Sequence, residues 1–111
     1  MDISTEKLSH AAIVRAIGRL DAAGAPMVEA SCRALIQEKP KYLLLDMAAV
    51  NYVSSAGLRS LLVLAKAMKA AGGTLVLCSL TPSVREVMCL SGFDNILTLA
   101  ADRSAALRLM Q

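Results

Sequence analysis

The residues of this 111-residue chain with the most chemistry to offer stand together in Ser54-Ser55-Ala56-Gly57-Leu58-Arg59. A serine hydroxyl attacks an electrophile only when a base takes its proton. His10 is the single histidine, and neither serine sits in a Gly-x-Ser-x-Gly elbow. Intrinsic catalysis is therefore not expected. There is also no Gly-rich phosphate loop and no His-Glu-x-x-His pair, so no cofactor and no metal site is expected. Cys32, Cys78 and Cys89 are odd in number, widely spaced and set among apolar residues, which predicts buried thiols rather than a disulfide or redox motif. Two readings of the serines remain: they cap a helix, or they belong to a surface that a partner meets.

Composition sets the kind of scaffold that can hold them. A chain of 11.7 kDa allows one compact domain, residues 1–111. With 56% hydrophobic residues, disorder is excluded, and with Tyr42, Tyr52 and Phe93 as the only aromatics the core must be aliphatic. Twelve Lys and Arg against nine Asp and Glu give a net charge of +3, with the basic residues scattered along the chain. That scatter and the shortage of aromatics argue against nucleic acid as a partner. No apolar run approaches the ~18–20 residues that span a bilayer, and the N-terminus carries Asp2 and Glu6 in place of a basic segment and an apolar stretch. No membrane association and a cytoplasmic location are expected.

Along the chain, Ile3–Leu8 and Ala11–Ile17 read as a hairpin turning at Ser9-His10, stopped by Gly18-Arg19-Leu20-Asp21. The segment Ala22–Glu38 repeats Val28, Cys32, Leu35 and Ile36 at helical spacing and is broken by Pro40. Tyr42–Leu45 and Thr74–Cys78 are continuous apolar runs, the pattern of strands covered on both faces. Between them a helix from Ser55 to Ala71 ends at Gly72-Gly73. Thr81-Pro82 opens a third helix that closes before Ser91-Gly92, Ile96–Leu99 is the last strand, and Asp102 caps a final helix through Leu107 to Met110. The order β-β-α-β-α-β-α-β-α predicts an α/β fold with parallel, right-handed crossovers and helices packed on the sheet.

At about 100° per residue, Arg59, Lys66 and Lys69 fall within about 40° of Ser55 on the second helix, forming a polar strip. Leu58, Leu61, Ala65 and Met68 lie at about 220–300° and should face the sheet, which points Ser55 outward. Leu62 and Val63 flank the strip, giving the helix more exposed aliphatic surface than simple solvation needs. Asp46, expected at a strand end, reads as a turn residue.

The whole chain resembles the STAS family of anti-anti-sigma factors (anti-sigma factor antagonists). Gly18-Arg19-Leu20-Asp21 resembles the family's G-[ER]-[LI]-D turn, and Leu45-Asp46 the end of its third strand. Gly57-Leu58 resembles the close of its D-S-[ST]-G-[LI] motif, Ala71–Leu75 the turn into the fourth strand, and Ser91-Gly92-Phe93 the piece after the third helix. The resemblance implies a single mixed sheet of about five strands with four helices. It implies partner switching: the unmodified protein binds an anti-sigma factor that is a serine kinase of GHKL type, phosphorylation of Ser55 breaks that complex, and a PP2C-type phosphatase resets it. Ser54 stands where the family often has aspartate, and Ala56 where it often has a second hydroxyl. Asp21, Ser54, Ser55, Ala56 and Gly57 are the partner-binding residues so implied, with Asp21 alternatively a helix cap, and the helix wheel adds Arg59, Leu62, Val63 and Lys66 to the same surface. A STAS scaffold that is never phosphorylated, or an accessory subunit of a lipid-transport complex, is the other role open to such a chain.

Overall fold

The computed structural model describes residues 1–110. Strands β1 (Asp2–Lys7) and β2 (Ala11–Leu20) pair antiparallel across a tight turn in which Leu8 N–H donates to Ala11 O at 2.7 Å. Strands β3 (Tyr42–Val53), β4 (Thr74–Cys78) and β5 (Thr98–Ala100) follow in parallel, in the order β1-β2-β3-β4-β5. Helices α1 (Ala25–Ile36), α2 (Ser55–Ala70), α3 (Pro82–Ser91) and α4 (Arg103–Leu109) fill the crossovers and the C-terminal end. This is the mixed five-stranded sheet with four helices that the resemblance implies.

Alternation along the strands divides the core between two faces. Val14, Leu43, Leu45, Met47 and Leu77 pack beneath α1, α2 and α3, while Ile13, Leu44, Val76 and Cys78 meet Ala106 and Met110 at α4. Covered on both sides, Leu43–Leu45 of β3 and Leu75–Cys78 of β4 have no polar face to display, which is why these stretches run apolar without interruption. The caps fall as the sequence indicates. Thr81 Oγ1 accepts from Val84 N–H (3.4 Å), Asp102 Oδ1 accepts from Ala105 N–H (2.8 Å), and Gly92 ends α3 at a φ of 78° that favours glycine.

Several boundaries differ from those read in the sequence. β2 does not stop at Gly18 but passes through it, at φ 122°, to Leu20. β3 does not end near Asp46 but continues to Val53, because two register shifts against β2 take up extra β3 residues. Asp46 is thus no turn residue. It lies at the first irregularity, where Oδ1 accepts from Ala48 N–H (3.0 Å) and Oδ2 accepts from Arg103 Nη2 (3.0 Å). α1 starts at Ala25 rather than Ala22, since Asp21–Gly24 form a turn ahead of it. The last strand is Thr98–Ala100 rather than Ile96–Leu99, and Ile96 is 61% exposed after a short 3-10 turn at Phe93–Asn95. Cys32 and Cys78 are buried, with burial pushing the Cys32 thiol up to about 12, but Cys89 is exposed on α3.

Candidate functional site

β2 and β3 end level with one another, Leu20 opposite Val53, and release the chain into α1 and α2 at the same edge of the sheet. Ser54 makes the joint. Its N–H donates to Leu20 O (3.0 Å), its extended backbone (φ −89°, ψ 175°) suits an N-cap, and its Oγ accepts from Gly57 N–H (3.2 Å). A Cβ at Gly57 would overlap the Leu20 carbonyl oxygen, so only glycine lets the first turn of α2 lie against the end of β2. Ser55 is the first helical residue. It is exposed, and the capping bond belongs to its neighbour. Of the two readings of the serine pair, capping therefore describes Ser54 and leaves Ser55 out of it.

Ala56 is half-buried behind Ser55, and Arg59 is exposed one turn up the helix. Leu62 and Val63 are half-buried on either side. Lys66 is exposed on the same strip but lies about 16 Å beyond Ser55 along the axis, at ~1.5 Å per residue. The buried side of α2 is made by Gly57, Ser60, Leu61, Leu64 and Met68. Its centre is at about 200° on the wheel that sets Ser55 at zero, so Leu58 and Ala65, placed on the sheet by apolar spacing, are only half-buried. The cause is polar. Ser60 Oγ donates to Glu29 Oε1 of α1 (2.9 Å), which rolls α2 toward α1 and turns Ser55 more squarely to solvent.

Asp21 follows Leu20 and so lies at this same edge. Its Oδ1 accepts from Gly24 N–H (2.9 Å) and Ala23 N–H (3.1 Å), holding the turn that enters α1. Those bonds, that from Gly24 foremost, hold its carboxyl below the ordinary aspartate range, and Arg19 adds to the effect. Oδ2 lies 3.5 Å from Arg19 Nε, and the Arg19 guanidinium sits 4.1 Å from the centroid of the Tyr52 ring. Arg19, Tyr52 (42% exposed) and the exposed Met27 were not among the partner-binding residues expected from the sequence. Tyr52 carried a usable signal: it is one of three aromatics and stands two residues before Ser54.

Among the described residues no group of three or more His, Cys, Asp or Glu could hold a metal ion, and no helix is long and apolar enough to cross a membrane. What the edge offers is an exposed hydroxyl at a helix start, with cations and apolar side chains around it. The STAS domain model matches residues 2–106, and the chain belongs to that family. It is 38% identical over 106 residues to BtrV of Bordetella bronchiseptica, a protein named provisionally as an anti-sigma factor antagonist, with 96% of this chain and 91% of that one covered. An anti-sigma factor antagonist from Mycobacterium paratuberculosis has a similar structure, with TM-score 0.88 at 24% identity over 97% of this chain and 92% of that one. The Bacillus cell fate determinant SpoIIAA in its phosphorylated form gives TM-score 0.72 at 19% identity over 97% and 99%. The last two likenesses establish the fold.

Proposed function

We propose that this chain is an anti-sigma factor antagonist that acts by partner switching, with Ser55 as its phosphorylated residue. Unmodified, it binds an anti-sigma factor that is also a serine kinase of GHKL type and so frees what that kinase held. Phosphorylation ends the complex, and a PP2C-type phosphatase restores the binding form. In this reading the protein works in the cytoplasm and is itself not an enzyme.

The observation that carries the reading is the division between Ser54 and Ser55: the first hydroxyl faces inward as the cap, the second stands exposed at the first helical position. The likeness to BtrV supports it, as does the fact that SpoIIAA has been solved both unphosphorylated and phosphorylated. Transfer forms an Oγ–P bond on Ser55 and breaks the bond from the γ-phosphorus to the bridging oxygen of ATP. ADP leaves, and the hydroxyl proton passes to a base of the kinase. The product carries about −1.5 to −2 charges, which a helix N-terminus accommodates without unfolding. Against a partner surface shaped for a neutral hydroxyl, the same charge must lose its water. About 1.4 kcal/mol of that cost already weakens binding tenfold.

The test is to incubate the protein with the kinase and ATP and locate the modified residue by mass spectrometry, then compare Ser55→Ala with Ser55→Asp by calorimetry. Ser55→Ala should keep the kinase and Ser55→Asp should bind it at least tenfold more weakly. Equal affinities, or modification elsewhere, would overturn the proposal.

A further inference from the structure

We propose that Arg59 is the built-in counter-charge for a phosphate on Ser55. This inference rests on Ser55 being the modified residue, and it adds a second effect to the modification. The phosphate not only brings negative charge but also draws Arg59 back along the helix, removing that cation from the surface a partner would meet.

The geometry is that of an i, i+4 pair on one helix face, with Cβ atoms about 5–6 Å apart. Helical side chains lean toward the N-terminus, so the Arg59 stem is aimed over the turn that begins with Ser55. Both residues are exposed. Among the described residues Arg59 is in no ion pair, whereas Arg19, the other arginine at this edge, is engaged by Asp21 and Tyr52. α2 contains no acidic residue, and its next cation, Lys66, stands two turns further on. At the ends of β2 and β3 the charged groups are Arg19 and Asp21, which offset one another, the facing Asn51 and Tyr52 are uncharged, and on α1, which packs against α2, Glu29 is engaged by Ser60 and by Arg33. Arg59 is therefore the uncommitted cation within reach. Its planar guanidinium can donate two parallel N–H bonds to phosphoryl oxygens.

The test needs no partner. Phosphoserine is placed at position 55 by genetic encoding, and its second ionisation is followed by phosphorus NMR across pH, with circular dichroism confirming the fold of each variant. The parent should titrate below the ~6 of a free phosphoserine. Arg59→Gln should raise that midpoint by about half a unit, a modest shift in keeping with an exposed pair, and Arg59→Lys by less. Arg19→Gln should leave the midpoint in place. Coincident curves for the parent and Arg59→Gln would overturn the inference, as would a shift produced by Arg19→Gln alone. Because the phosphoserine is incorporated during translation, this outcome is independent of whether any kinase uses Ser55, and either proposal can fail without the other.

Discussion

The two faces of the sheet are closed by different means. Beneath α1, α2 and α3 the contact is almost wholly aliphatic, from Val14 and Leu45 to Leu64 and Met88. The other face has only α4, a helix of seven residues, and there packing by Ala106 and Met110 is joined by polar clasps at both ends. Arg103 reaches Asp46 at the start of α4, and the Met110 carbonyl meets His10 Nε2 at 3.1 Å beyond its end. Where three helices supply enough apolar area, packing does most of the positioning and a single bond, Ser60 to Glu29, trims the set of α2; where one short helix must cover the strands, directional bonds fix it at both ends. The site borders the thick face, so the surface around Ser55 can change its charge while the core beneath stays closed.

Four substitutions sharpen or break this comparison. Leu64→Ala, which hollows the thick face, should cost about 3 kcal/mol and lower the melting temperature by roughly 10–20 °C. Asp46→Asn should cost about 1–2 kcal/mol, because Arg103 loses its nearest carboxylate and retains only Glu6 at 3.8 Å. Hydrogen exchange should then loosen α4 while α1 and α2 keep their protection; equal loosening on both faces would erase the distinction drawn here. Ser54→Ala should cost about 1 kcal/mol through the lost cap, against less than about 0.5 kcal/mol for Ser55→Ala, and matching losses in denaturant melts would contradict their separate tasks.

The smallest effect lies at Asp21. A carboxyl held below its ordinary value favours the charged, folded form, so its contribution is complete above the unfolded value of about 4 and fades as pH falls through the lower folded value. Asp21→Asn should therefore lose less stability than the parent between about pH 5 and pH 3. A parallel fall in the two melting temperatures would count against that role.

Much of this architecture was legible because caps and breakers are local. Thr81, Gly92 and Asp102 punctuate the helices where their chemistry says they should, and the apolar runs of β3 and β4 record burial on both sides. The misplaced ends of β2 and β3 have a common origin. Irregular pairing around Met47 and Asn51 disrupts the two-residue period, so a strand that continues to Val53 stops looking like one after Leu45. The roll of α2 was hidden for another reason: a count of apolar side chains places no serine in a core, yet Ser60 is buried because Glu29 answers it from a different helix. Ser54, Ser55 and Gly57 could be found as a motif. Arg19 and Tyr52 meet only across paired strands, and adjacency of that sort is not written along one chain.

The inward bond of Ser54 also bears on the proposed modification of this turn. Two identical alcohols stand one residue apart, and a visiting enzyme would ordinarily have to tell them apart by reading the flanking sequence. Here the fold has already made that selection, because reaching the first alcohol means unfastening the helix while reaching the second disturbs nothing.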